Sequence, residues 1–452
     1  MTKKKAVMWI VVFLIIIISP PVIYFFLGRY VDAENYENRN AALKPTLSID
    51  NYSVFSKEYE EYYNDAIPFR NQLITLSNSI DYYLFGQSSN DKVIIGKEGW
   101  LLYCNKEDFN PLEQSLGYWK FSDEQLKCIA DNLESTRRVL ESQGIEFVLF
   151  IAPNKETIYA DKVPDYYDVA DSYTSTDQLI DYLKENTNIR LVYPKDKLEE
   201  IKRGKEDFLL YHKLDTHWNY AGAYVGAVSL TNELGIKMPL LSEVYQGPVY
   251  SSTGDLANML NIKIKNGDVD YILDDALIGI PECEKSDFSA EFSFHMSGAD
   301  PRRLFVRRDS FSSAMMSFVA SQFEDSLFMH YMSFSQQQIF DYEADIFVLE
   351  SAERYLSSLE NFRISFVEFS IDEEEEDKTI FITPAVFCDY SPYVSVFVKK
   401  EGTEEAASYQ VMKPLEDEIK IQVPGNEKGE IYVYVFESDS NDAVLEELTI
   451  QY

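Results

Sequence analysis

The spacing of apolar and polar residues divides the chain into four stretches. The first is an apolar run from Ala6 to Leu27, broken only by Ser19, Pro20 and Pro21 and preceded by Lys3, Lys4 and Lys5. About 20 apolar residues cross a bilayer as a helix, so residues 1–28 are expected to form a membrane anchor. The lysines place its N-terminus on the cytoplasmic side and the rest of the chain outside. A cleavable signal would have a shorter apolar core ending at small residues. No Ala-x-Ala pattern follows here, which favours an uncleaved helix. Residues 29–54 read as an extended linker.

From residue 55 to 365 the pattern alternates between helical and strand periods. Phe55 to Phe85 is helical with a break at Pro68, and Asp91 to Tyr103 alternates like a hairpin turning at Lys97-Glu98-Gly99. A helix is predicted from Asp123 to Gln143, closed by Gly144. The continuous apolar run Glu146 to Ile151 predicts a strand covered on both faces. Helices follow over Gln178–Asn186, Asn219–Leu234 and Phe311–Phe323, and strands over Arg190–Tyr193, Leu304–Val306, Ser326–Met332 and Asp345–Leu349. Residues 240–300 read as short strands and loops. Such alternation predicts an α/β domain: a mainly parallel sheet with helices on both faces, in three layers.

The acidic run Ile371 to Asp377 reads as a solvated linker or loop. After it, six alternating segments lie between turns rich in Gly, Pro, Asn and Asp: Thr379–Phe387, Val394–Lys399, Ser408–Met412, Glu418–Val423, Glu430–Phe436 and Leu445–Tyr452. They predict an all-β sandwich over residues 366–452. Tyr390, Tyr393 and Tyr432 could serve it as sugar platforms, although a purely structural sandwich is an equal reading.

Composition narrows the partners. A net charge of −35 argues against nucleic acid and, more mildly, against a strongly anionic polymer. Four cysteines (Cys104, Cys128, Cys283, Cys388) lack metal-ligand spacing and do not demand a disulfide. No phosphate loop, dinucleotide fingerprint or calcium loop is present, so no cofactor or metal is expected.

Candidate chemistry concentrates in Asp215-Thr216-His217-Trp218 and Asp309-Ser310-Phe311. A serine becomes a nucleophile when a nearby imidazole takes its proton and a carboxylate holds that imidazole's tautomer. Ser310, His217 and Asp215 supply those parts in an order that sets the serine last. The plain alternative is that Ser310 caps its helix. His212 is a rival base without a carboxylate two residues before it, and Trp218 reads as core in preference to a lid. Asn154 and Lys155 follow the apolar strand, where open α/β sheets bind ligands. Asn154 is therefore a candidate oxyanion donor, Lys155 a candidate rim residue, and Asp255 in Gly254-Asp255-Leu256 a binding-loop or turn residue. Arg308, with Arg302, Arg303 and Arg307, either forms a positive rim at the serine or pairs with nearby carboxylates. His295 and His330 read as structural.

These motifs resemble the permuted SGNH-hydrolase domain of the alginate O-acetyltransferase AlgJ/AlgX family and the DHHW-type exported proteins of Gram-positive bacteria. Tyr63-Asn64-Asp65 to Pro68-Phe69-Arg70, Val93 to Leu101, Ala152-Pro153-Asn154-Lys155, Gly254-Asp255-Leu256 and Ala344-Asp345-Ile346 carry the same likeness. Arg308 departs from it, standing where the family has glycine before Asp-Ser. The resemblance implies transfer of acetyl groups to a cell-envelope or secreted polysaccharide. It also implies a multipass membrane O-acyltransferase partner that supplies the acetyl group. A carbohydrate esterase using the same residues, or a non-catalytic glycan-binding or assembly protein on the same scaffold, remains open at this point.

Overall fold

The computed structural model describes residues 3–28, 42–48, 51–204, 208–364 and seven strand segments between 366 and 451. Residues 29–41 and 49–50 of the predicted linker lie outside the described residues. Helix α1 (Lys3–Leu27) contains a window, Val7–Leu27, that is long and apolar enough to cross a membrane. Helices α2 (Phe55–Asp65) and α3 (Arg70–Ile80) flank Pro68, as the break in periodicity predicts. Strands β1 (Val93–Ile95) and β2 (Leu101–Tyr103) form the expected hairpin, with a short turn of helix at Lys97–Gly99.

The centre of the molecule is a seven-stranded sheet. Its strands are β3 (Glu146–Ala152), β4 (Arg190–Val192), β7 (Glu282–Ser286), β8 (Glu291–His295), β9 (Leu304–Arg308), β10 (Asp325–His330) and β11 (Ile346–Ala352), while β5 (Tyr245–Ser251) and β6 (Asp268–Leu273) pair separately. The order β4-β3-β11-β9-β10-β8-β7 is parallel through its first five strands and antiparallel at the β8–β7 edge. Side chains alternate across it with period two. Val148, Phe150, Leu304, Val306, Ile346 and Val348 join one core with helices Tyr220–Glu233 and Ser312–Ala320. Phe147, Leu149, Phe305, Phe347 and Leu349 join the other with helices Asp123–Ser142 and Ser175–Asn186. The result is the three-layer α/β architecture that the apolar runs predict.

Small residues let the first core close. At Gly222 an added Cβ would lie 2.1 Å from the Leu210 carbonyl oxygen, and at Gly226 2.9 Å from the Trp218 ring. Helix Tyr220–Glu233 therefore packs directly on the segment that carries Asp215 and His217. Its N-cap is Asn219, whose side chain accepts from the Gly222 N–H.

Beyond residue 364 the described strands are β12 (Phe366–Glu374), β13 (Thr379–Phe387), β14 (Tyr393–Lys400), β15 (Ala407–Tyr409), β16 (Ile419–Gln422), β17 (Gly429–Phe436) and β18 (Val444–Gln451). They form two antiparallel sheets, β12-β13-β16 and β15-β14-β17-β18. The acidic run is corrected in part: Ile371 to Glu374 pair in β12 with Ile382 to Thr379 and are strand, not loop. Tyr390 and Cys388 lie outside the described residues, and the Tyr432 hydroxyl donates to Glu430. Cys104, Cys128 and Cys283 are free thiols.

Candidate active site

Ser310 sits in the turn between β9 and helix Ser312–Ala320. It does not cap that helix: Phe311 occupies the cap position, without a side-chain cap bond. The Ser310 hydroxyl instead lies 2.8 Å from His217 Nε2. On the other side of the ring, His217 Nδ1 is 2.7 Å from Asp215 Oδ1. The three side chains named from sequence thus stand in one hydrogen-bonded series, with His217 and Ser310 meeting across 93 residues of chain. The backbone N–H of Ser310 has no acceptor among the described residues.

The base is held by a tight reversal of the chain. His212 N–H donates to the His217 carbonyl and Asn219 N–H to the Leu210 carbonyl. Trp218 is buried in the core and its Nε1–H donates to the Phe311 carbonyl at 2.9 Å, tying the base segment to the nucleophile turn. Asp268, itself buried, accepts from the N–H groups of Lys213 and Leu214 and faces His212 Nδ1 at 3.2 Å. His212 is therefore committed to Asp268 and Asp270, away from the serine.

The carboxylates are arranged unequally. Asp215 Oδ1 accepts from the His217 N–H, and its Oδ2 accepts from the Asp255 N–H at 2.8 Å. Burial alone would raise the Asp215 carboxyl, but the His217 hydrogen bond and charge outweigh it and hold it well below the usual carboxylate range. Asp255 accepts from Thr216 N–H and from the Thr216 hydroxyl. Burial, with the Asp215 charge beside it, pushes Asp255 upward. Two adjacent carboxyls driven in opposite directions are a common sign of divided roles. Asp215, His217 and Asp255 are close enough to share an ion, yet all four carboxylate oxygens already accept from protein donors.

The Ser310 turn is anchored by Asp309 and by Glu350, a residue the sequence did not single out. Asp309 Oδ1 accepts from the Phe311 N–H and its Oδ2 from the Ala352 N–H. The Asp309 N–H donates to Glu350, which is fully buried on β11 and whose carboxyl is pushed far up by burial and then by Asp309. Asp309 stood beside the serine in the motif; Glu350 left no local signal.

Three of the expected rim residues lie elsewhere, while Asp255 stays beside the base. Lys155 is fully buried, with Nζ donating to the Asp215 carbonyl at 2.6 Å, so it braces the base loop from below. Asn154 is buried too, its Nδ2 directed at Gln114 and its N–H donating to Glu353. Asp255 binds Thr216 as described. Arg308 is fully buried against the rings of Phe288 and Phe292, and donates to the Phe288 carbonyl. Arg302 and Arg303 pair with Asp300 and Glu343, so the arginines form no exposed rim at the serine. Arg308 closes β9 in extended backbone with no positive φ, so a side chain fits where the resembled motif has glycine. Beside the base loop, Phe208, Tyr245, Tyr250 and Tyr271 wall an open cleft of about 600 Å³ that Lys213 and Asp268 also line.

A three-layer sheet with a Ser–His–Asp series at its strand ends is the architecture of an SGNH hydrolase-like protein. Residues 93–268 match the family model described as "SGNH hydrolase-like domain, acetyltransferase AlgX", so this stretch is similar to AlgJ/AlgX-type domains. The match contains Asp215 and His217 and ends before Ser310. Among curated relatives, "Probable alginate O-acetylase AlgJ" of Pseudomonas fluorescens is 26% identical over 191 residues, covering 42% of this chain and 45% of that protein. The Pseudomonas aeruginosa protein of the same name is 25% identical over 176 residues, covering 39% and 41%. The chain thus spans about half the length of the curated relatives it matches. Of solved structures, Bacillus cereus PatB1 is 17% identical, with 61% of this chain and 100% of that chain covered at a TM-score of 0.47. A DHHW family protein from Eubacterium siraeum is 14% identical, with 60% and 94% covered at 0.43. Overlap at these scores is partial, and the fold assignment rests on the strand order and register above.

Proposed function

We propose that the chain is an O-acetyltransferase acting outside the cytoplasm on a cell-envelope or secreted polysaccharide. The observation that carries this reading is the Asp215–His217–Ser310 series, with separations of 2.7 and 2.8 Å and a serine free of capping duty. His217 Nε2 takes the Ser310 proton as Oγ bonds to the acetyl carbonyl carbon, and Asp215 steadies the imidazolium. The oxyanion is received by the Ser310 N–H. The leaving group departs with the proton from His217, leaving an acetyl-serine. A sugar hydroxyl, deprotonated in turn by His217, attacks that ester and regenerates Ser310. With water as acceptor the same residues make an esterase.

In this proposal α1 anchors the protein with its N-terminus in the cytoplasm, residues 55–365 form the catalytic domain and residues 366–452 a sandwich. The acetyl donor comes from a multipass membrane partner, in line with the AlgJ/AlgX likeness. A non-catalytic scaffold would instead have Ser310 turned into its own helix.

The test is hydrolysis of a chromogenic acetyl ester by the full chain beside Ser310→Ala and His217→Ala, followed by mass spectrometry for acetyl-Ser310. Turnover abolished in both variants with intact folding supports the reading. Equal rates in wild type and variants reject it.

A further inference from the structure

Helix α3 is built inside out. Its polar side chains face the globular domain: Thr75 Oγ1 donates to Asn261 Oδ1 at 2.9 Å, and Asn78 Nδ2 to the Leu260 carbonyl at 2.7 Å. Asn71, Gln72, Thr75 and Ser79 line a cavity shared with Asn258, Asn261, Ile262 and Lys263. On the other face, Leu73, Leu76 and Ile80 continue into Tyr83 and Leu84, and all five are 40–74% exposed. Their spacing of three, four and three to four residues is one helical stripe. A helix on a water-facing surface carries the opposite arrangement. Neither α2 nor α3 has a buried residue, so the stripe lacks cover within the described chain.

Two observations say what covers it. The stripe begins where the apolar span ends: Tyr24, in the last turns of α1, packs edge-on against Phe69 with ring centroids 5.2 Å apart, and Phe69 is the residue that opens α3. Tyr24, Phe25 and Phe26 place aromatic rings at the end of the span, the position such rings take at a bilayer interface. An apolar helix face continuous with that level lies in the interface plane. We propose that the Leu73–Leu84 stripe docks into the outer lipid interface, laying α3 along the membrane and fixing the catalytic domain's height above it. This rests on the reading of α1 as a bilayer-spanning anchor. The neighbouring α2 carries Glu58, Glu60, Glu61 and Asp65, so the docking favours zwitterionic over anionic lipid.

The experiment uses the full chain in phosphatidylcholine vesicles, with the four native cysteines changed to serine. Single cysteines at Leu76, Ile80 or Leu84 carry an environment-sensitive fluorophore, with Lys127→Cys as the water-exposed reference and Ile15→Cys as the α1 reference. Headgroup-proximal spin-labelled lipid should quench the three stripe sites at least about twofold and leave Lys127 unchanged. Anionic lipid at about 30% should weaken that quenching. Stripe sites quenched no more than Lys127 overturn the proposal. So do stripe sites that are shielded yet unquenched when labelled and that, left unlabelled, form disulfides between copies, which would make the face a homodimer contact. Ile15 quenched by deep-labelled lipid with an unquenched stripe removes the docking alone; both unquenched removes the anchor as well. A quenched stripe with an unquenched Ile15 leaves the docking standing as peripheral binding.

Discussion

Replacing Asp215 with Asn asks which of two carboxylates orients the base. His217 Nδ1 is 2.7 Å from Asp215 Oδ1 and 3.8 Å from Asp255 Oδ2. At an effective dielectric constant of about 20, an imidazolium gains about 6 kcal/mol from the first charge and about 4 kcal/mol from the second. Both groups are partly exposed and screening trims each figure, but the difference of about 2 kcal/mol alone corresponds to about 30-fold in rate. Hydrogen bonding widens the gap. An amide at position 215 would keep its oxygen for the Asp255 or His217 N–H and turn its NH₂ toward the ring. That favours the tautomer with the proton on Nε2, which cannot accept from Ser310. The equivalent change in the worked serine-protease triad costs about 10⁴ in kcat. We therefore expect Asp215→Asn to lower kcat for acetyl-ester hydrolysis about 10³- to 10⁴-fold with KM within about threefold. Asp255→Asn, which can still accept from Thr216 N–H and donate to its hydroxyl, should cost about tenfold or less. Stopped-flow turnover of a chromogenic acetate, with thermal melts of each variant, reads both numbers. A larger loss from Asp255→Asn, or an Asp215→Asn enzyme keeping more than about a tenth of its kcat, would refute the reasoning.

Further outcomes follow from the supports of the site. At Gly254 an added Cβ would stand 2.3 Å from the Leu214 carbonyl oxygen, so Gly254→Ala should displace the Asp215 backbone, cost about 1–3 kcal/mol in a melt and lower kcat. Trp218→Phe removes the donor to the Phe311 carbonyl, and a stability loss of about 1–3 kcal/mol with a fall in kcat exceeding any change in KM is expected from melts and kinetics. His212 gives a pH signature: burial opposes its charge, but Asp268, then Asp270 and Asp215, outweigh it and raise its value. That stabilisation is complete below the ordinary imidazole value of about 6.5 and is lost as pH rises through the raised folded value. The melting-temperature gap between wild type and His212→Asn should accordingly be widest below about pH 6.5 and close as pH rises through the raised folded value, and a constant gap rejects the assignment.

The sheet and the two candidate motifs were legible for different reasons. Runs such as Phe147–Ile151 announce a doubly covered strand because nothing else hides consecutive large apolar residues. The short Asp-x-His-Trp and Asp-Ser-Phe segments were visible because each keeps its chemistry within a few residues. Local pattern could not decide between cap and nucleophile at Ser310, since both need a serine after a strand; its 2.8 Å separation from His217 exists only in three dimensions. Lys155 and Arg308 misled as rim candidates because a charged side chain reads as exposed, and its burial depends on a distant carbonyl or aromatic ring. Glu350 and Asp268 were silent for the same reason: their partners are backbone N–H groups 41 and 54–55 residues away. The turn of α3 toward the domain by its polar face was invisible as well, because periodicity locates an apolar stripe without saying which way it points.

The pairing of β3 with β11 bears on how the fold comes together. Glu146 meets Ile346, so a strand made early in synthesis keeps one apolar edge open until some two hundred more residues have followed. β9 enters between β11 and β10, and its nucleophile turn is clamped only when Asp309 captures the Ala352 N–H at the far end of β11. Long-range closures of this kind are slow, and an open strand edge invites association with other chains. A nascent or truncated chain thus holds base and acid in place while its serine has no fixed address. Under the proposed function, activity would then report completed assembly of the sheet, because the Ser310 turn is held by a contact that only β11 supplies.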